Sequence, residues 1–113
     1  MPVIHTTITK KLPADEKAAL MEYMVNEICK YTSTKAKNIY AYVHEVSPED
    51  ARKAAPVVQI DWTAAPDRNE EAKQNIMHSF AKKLYELEPQ YKDEIVVLIS
   101  DVPKTNAVLG YKE

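Results

Sequence analysis

The chain has 113 residues, 45% of them hydrophobic and 28% charged, with a formal charge of −2 at pH 7. That length suits one ordinary domain with a modest core, which association between subunits would help to complete. Lysine and arginine are interleaved with aspartate and glutamate, so no basic face offers itself to nucleic acid; no apolar run approaches a membrane span or a signal-peptide core, so no membrane is expected and the cytoplasm is the expected location.

The first segment, Pro2-Val3-Ile4-His5-Thr6-Thr7-Ile8-Thr9, alternates Ile4, Thr6 and Ile8 against Val3, His5 and Thr7, the pattern of a strand with one buried face. Pro13 then opens a helical stripe of Leu20, Met24, Ile28 and Tyr31, with Met21 and Val25 beside it. Cys29, the single cysteine, lies within this stripe and reads as a small buried apolar residue, which excludes disulfides and cysteine-based metal sites. A second strand, Ile39 to Val46, ends before Pro48. Pro56 begins a third, with Val58, Ile60 and Trp62 alternating against Gln59, Asp61 and Thr63.

After Pro66 comes a second helix, with Ile76, Phe80 and Leu84 as its stripe and two candidate starts: Asp67 paired with Glu70, or Asn69 as the cap. The last strand, Ile95-Val96-Val97-Leu98-Ile99, is apolar on both faces, as for a strand covered on both sides. The seven prolines all fall between elements or at their ends.

The order strand, helix, strand is therefore written twice. Pro2-Val3-Ile4 recurs as Pro56-Val57-Val58, Glu16 to Met21 falls on Ala72 to Met77, and Ile39 to Val46 falls at the same spacing on Ile95 to Val102. The expected fold is α/β (α+β): two fused β-α-β units forming a four-stranded sheet with two helices on one face, and a parallel crossover in each half. The units span about 2–47 and 56–103 of a single domain, with a tail at 104–113.

Several chemistries are set aside. The only glycine is Gly110, so no glycine-rich phosphate loop or dinucleotide fingerprint exists, and His5, His44 and His78 lack metal-ligand spacing. No cofactor or metal is expected. What remains is Pro2: once the initiator methionine is removed it presents a secondary amine, both nucleophile and base.

A proline that can become N-terminal, followed by a short strand, a charged turn, an amphipathic helix and a returning strand, resembles the tautomerase superfamily typified by 4-oxalocrotonate tautomerase. Two such units in one chain resemble its fused members, among them the macrophage migration inhibitory factor, cis-3-chloroacrylic acid dehalogenase and malonate semialdehyde decarboxylase groups. The resemblance implies that Pro2 is the general base or acid of a cofactor-independent keto-enol tautomerisation. An α-amino group titrates at about 7.7–8.0 in water, and burial near cations moves it toward neutrality. The family motif before the helix carries an arginine, and Asp67-Arg68-Asn69-Glu70 places Arg68 on it, implying a guanidinium that holds the carboxylate of a small α-keto acid. A solvated arginine at a helix start is the plain alternative.

The resemblance further implies substrate contacts for Tyr40 and Lys35, against the plain readings of a packed strand aromatic and a loop lysine. Leu12 replaces the motif arginine in the first unit, where Lys10 and Lys11 precede it. Ala65 stands at the dehalogenase group's extra arginine and Lys37 near the decarboxylase aspartate, so both of those activities are disfavoured. A homotrimer is also implied. Two further readings stay open: a ferredoxin-like small-molecule-binding module, which shares the element order, and a non-catalytic tautomerase-like interaction protein. Parallel pairing inside each unit would separate the first from a tautomerase.

Overall fold

The computed structural model describes residues 1–113. Strand β1 (Val3–Ile8) leads to helix α1 (Ala14–Tyr31) and strand β2 (Tyr40–Glu45); strand β3 (Val57–Thr63), helix α2 (Glu70–Leu87) and strand β4 (Val96–Val102) repeat the sequence of elements. One sheet results, in the order β2-β1-β3-β4. Val3 lies beside Tyr40 in parallel register, Val57 lies beside Val96 in the same way, and β1 meets β3 antiparallel through Ile4 and Ile60. Adjacent parallel strands within each unit rule out the ferredoxin-like reading and match the expected β-α-β pair.

The duplication reaches the hydrogen bonds. Tyr40 N–H donates to the Pro2 carbonyl at 2.9 Å, and Val96 N–H donates to the Pro56 carbonyl at 3.2 Å. Each proline, unable to donate, still supplies the acceptor that starts a parallel ladder at a strand end.

Both helices cover one face of the sheet. Ile4, Ile8, Val58, Ile60 and Trp62 point into it and meet Leu20, Met24, Ile28, Ile76, Phe80 and Leu84. The stripes at helical spacing and the alternation along β1 and β3 therefore close on the same core, each large side chain adding about 1.5–3 kcal/mol through burial. Pro13 precedes α1, its carbonyl accepting from Lys17 N–H at 3.0 Å. The start of α2 is settled by Asn69, whose side chain accepts from Ala72 N–H at 2.9 Å; Asp67 is engaged elsewhere. Cys29, one position past Ile28, is only half-buried and lies off the core stripe.

The other sheet face carries no layer of its own. Its outward residues include Tyr40, Tyr42, Val96 and Leu98, which are 42, 47, 39 and 53% exposed. On β4 only Val97 and Ile99 pack inward, so the second apolar face expected for this strand is uncovered in a single chain. Across β1 and β2 the ring of His5 stacks between Tyr42 and His44, and His5 Nδ1 lies 2.8 Å from His44 Nε2. No helix is long and apolar enough to cross a membrane.

Candidate functional site

The N-terminus of β1, the C-terminal end of β3, the turn entering α2 and the loop leaving α1 meet around a cleft of about 480 Å³. Its walls include Met1, Thr34, Lys35, Lys37, Asp67 and Arg68, and Leu109 of the C-terminal tail reaches it. Local sequence explains the convergence. Strand β3 ends at Thr63, Pro66 keeps the chain from continuing, and Asn69 starts α2, so Arg68 is left just past the end of an inner strand.

Arg68 is held on several sides. Its Nη1 donates to the Thr63 carbonyl and, at 3.0 Å, to Thr63 Oγ1; its Nη2 donates to Thr34 Oγ1 at 3.0 Å. The guanidinium carbon lies 5.5 Å from the ring centre of Trp62, over its face. Trp62 Nε1 donates to Asp101 Oδ1 at 2.7 Å, and Lys73 of α2 pairs with the other Asp101 oxygen. Hydrogen bonds from Lys73 and then Trp62 hold the Asp101 carboxyl below its usual range, with the Lys73 and Arg68 charges acting in the same direction. A guanidinium has five N–H donors, and these contacts leave free Nε–H, which is buried without a partner, and part of Nη2. The guanidinium thus keeps donor capacity beyond its contacts with Thr63 and Thr34, which a carboxylate entering the cleft would use.

The N-terminal amine belongs to the same cluster. Met1 N donates to Thr63 Oγ1 at 3.1 Å, so one hydroxyl accepts from both the amine and Arg68. Burial first, and the Arg68 charge second, hold the amine's pKa below its ordinary value. Pro2 follows directly and is fully buried, its carbonyl engaged by Tyr40 N–H.

Asp67 is the one acidic residue lining the cleft. Its Oδ2 accepts from Ser33 Oγ at 2.6 Å and from Ser33 N–H, which tie the loop after α1 to the start of α2 and keep the carboxyl below its usual range.

The residues singled out from sequence are thus partly brought together. Pro2, Arg68 and Lys35 belong to one corner, with Lys35 exposed at the rim. The Tyr40 ring lies on the outward sheet face, and only its backbone meets Pro2 within one chain. Lys10 is at the other end of the fold, donating to the Leu87 carbonyl at 3.2 Å beside a second cleft of about 330 Å³. There Leu12, standing where the second unit has Arg68, is buried in the core, and Pro56 is an internal amide, so neither a guanidinium nor a terminal amine lines that cleft. Thr63, Thr34, Trp62 and Asp101 were not legible as partners of Arg68; the run Thr32-Ser33-Thr34 directly after α1 was the only hint of a polar wall.

No family model matches the sequence, and no curated protein does. Solved structures with the same fold do. A fused 4-OT, a wild-type symmetric trimer, superposes with a TM-score of 0.81 at 17% identity, over 95% of this chain and 90% of that one. Pt0534 inactivated by 2-oxo-3-pentynoate gives 0.77 at 19% identity, over 95% and 90%. Malonate semialdehyde decarboxylase gives 0.74 at 13% identity, over 98% and 92%. The structural neighbours are thus fused 4-OT and related tautomerase-superfamily proteins, and the fold expected from the resemblance is the fold found.

Proposed function

We propose that this chain is a cofactor-independent keto-enol tautomerase of small α-keto acids, in which the Pro2 amine, freed by removal of Met1, carries the proton and Arg68 holds the carboxylate. The observation that carries the reading is the position of the start of the chain: the Met1 amine, one residue ahead of Pro2, and Arg68 both donate to Thr63 Oγ1, at 3.1 and 3.0 Å. Removal of Met1 would leave the Pro2 amine beside the cleft that Arg68 lines.

In the proposed reaction the neutral amine takes a proton from the carbon next to the carbonyl. The C–H electron pair becomes a C=C bond, and the carbonyl π pair moves onto oxygen, which is protonated to give the enol. The reverse returns the proton to carbon. Lowering the amine's pKa keeps it unprotonated near neutral pH, and burial beside Arg68 acts in that direction on the amine now present. Lys35 at the rim is a second cation for the substrate.

Hydrolytic dehalogenation and decarboxylation are less well supported, because Ala65 and Lys37 stand in the cleft where those groups carry an arginine and an acid. Asp67, the one carboxylate present, is committed to Ser33. A homotrimer is part of the proposal: the uncovered face with Tyr40, Tyr42, Val96 and Leu98 needs a partner layer, and several structural neighbours are described as trimers. Assembly would bring the Tyr40 ring into an interface beside β1.

The test is Arg68→Ala assayed on an α-keto acid and on its ester. Loss of a desolvated two-pronged contact should cost about 2–4 kcal/mol in kcat/KM for the acid, far less for the ester, with only partial recovery in Arg68→Lys. Equal losses on both, or none, would remove Arg68 from substrate binding. Incubation with 2-oxo-3-pentynoate tests the amine: conjugate addition forms one N–C bond at the alkyne, loses no atoms, and should place the adduct on Pro2 in the methionine-free chain. A native mass that retains Met1, with no adduct, would favour the non-catalytic reading.

A further inference from the structure

The proposed use of Arg68 leaves unexplained an exposed acid that reaches across the sheet to the one tryptophan. Asp101 is paired directly opposite Trp62 in the β3-β4 register. Its Oδ1 accepts from the indole Nε1 at 2.7 Å, and its Oδ2 pairs with Lys73, one turn into α2. Trp62 is 1% exposed and turns its face toward the guanidinium carbon, 5.5 Å from the ring centre. The result is a chain of contacts, Lys73 to Asp101 to Trp62 to Arg68, that ties β4, α2 and β3 to one guanidinium.

We propose that Asp101 and Trp62 are positioning residues for Arg68: Asp101 fixes the rotation of the indole, and the indole fixes the plane in which the Arg68 guanidinium meets a carboxylate in the cleft. This rests on the proposed role of Arg68. Thr63 and Thr34 hold Nη1 and Nη2 but leave the guanidinium free to tilt about the line between them. A flat aromatic face removes that tilt, because the cation and the ring attract best when one lies over the other. An indole in turn has two faces and a single donor, so one acceptor at Nε1 is enough to choose its orientation.

The sign of the effect separates positioning from simple electrostatics. Asp101 is a negative charge near a carboxylate site, so if it acted only through its field, neutralising it would improve binding of an anionic substrate. Positioning predicts the opposite for Asp101→Ala, and near-wild-type behaviour for Asp101→Asn, which loses the charge but keeps an acceptor for the indole.

The experiment uses the full chain labelled with ¹⁵N-arginine. There are two arginines, Arg52 and Arg68, so the Nε–H region holds two signals. The buried Arg68 Nε–H should give a sharp, slowly exchanging signal and the exposed Arg52 a rapidly exchanging one. Asp101→Ala and Trp62→Phe should each broaden the Arg68 signal and raise KM for the keto acid about tenfold with little change in kcat; Asp101→Asn should restore both. In the Arg68→Ala background Asp101→Ala should change KM no further. An unchanged Arg68 signal in a folded Asp101→Ala chain overturns the proposal, as does a lowered KM or a loss of stability alone. If no turnover is found for any variant, the tautomerase reading fails, and the Nε–H signal still decides whether Asp101 and Trp62 hold Arg68.

Discussion

Removing the Asp67 carboxylate tests how the loop after α1 is brought to the site. Asp67 Oδ2 accepts from Ser33 N–H at 2.5 Å and from Ser33 Oγ at 2.6 Å, and this pair fastens Ser33 and Thr34 beside Arg68. Hydrogen bonds to a charged acceptor contribute about 1.5–3 kcal/mol each when shielded. These are near solvent, where charged contacts contribute about 0.2–1 kcal/mol each, so the expected cost of Asp67→Ala is about 1–2 kcal/mol, or roughly 4–8 °C in Tm for a domain of this size. Asp67→Asn, which keeps an acceptor oxygen, should lose about half as much. Urea unfolding followed by circular dichroism at matched protein concentration measures the difference, concentration being fixed because any subunit association would add to stability.

The pH dependence of this prediction has a definite sign. The folded-state pKa of Asp67 is lowered, chiefly by the Ser33 hydroxyl and then by its backbone N–H. The stabilisation is therefore present above the ordinary aspartate value of about 3.9 and is lost as pH falls through the lower folded value. Wild type and Asp67→Asn should differ most at neutral pH and converge in acid. An Asp67→Ala chain within about 0.3 kcal/mol of wild type at pH 7 would show that Ser33 and Thr34 are held by the fold alone, the usual spread for an inert surface change being about 0.5 kcal/mol.

Three further outcomes are expected. Glu88 is 2% exposed with Oε2 unpartnered, and burial raises its pKa against the lowering effect of Lys10. Since the charged form is the disfavoured one, Glu88→Gln should stabilise the chain by about 1 kcal/mol at pH 7–8, with the gain shrinking as pH falls toward about 4.3; thermal melts across pH that show a constant gain would contradict this. Leu12→Arg, which restores the family arginine to the first unit, should cost about 3 kcal/mol or more by placing a guanidinium in the core; a stable variant that binds a keto acid at the second cleft would reveal a socket kept for it. Leu98→Asp on the uncovered face should dissociate the proposed trimer in sedimentation while leaving the circular dichroism unchanged; an unaltered sedimentation coefficient would exclude that face from subunit contact.

Much of the fold was legible because duplication and proline placement are one-dimensional signals. Pro2 and Pro56 mark equivalent strand starts, and the inward parity of Ile4, Thr6 and Ile8 follows from alternation alone. The apolar run Val96 to Ile99 announced two buried faces, and a single chain covers only the inward one, leaving Val96 and Leu98 exposed. The start of α2 was ambiguous because Asp67 and Asn69 are both capping residues, and only the pairing of Asp67 with Ser33 removes one of them.

Arg68 was singled out by its motif position and Pro2 by the resemblance, and the structure places Arg68 and the start of the chain at one cleft, whereas the groups around them were not legible. Strand register brings Thr63 and Asp101 of β3 and β4 to Arg68, and the tie between Ser33 and Asp67 brings Thr34 of the loop after α1. Tyr40 shows the same limit from the other side: its strand could be recognised, but whether its ring faces the cleft or the open sheet depends on a register that no single strand encodes.

The central claim is that the Pro2 amine moves the proton, and ketonisation of a phenylpyruvate enol, followed by ultraviolet absorbance, tests it most directly. Methionine-free wild type and methionine-free Pro2→Ala, the N-termini confirmed by intact mass, would be compared under identical conditions. The account predicts that turnover falls by about 10²-fold or more in Pro2→Ala, the usual size of a general-base contribution. Equal turnover in the two proteins would contradict it.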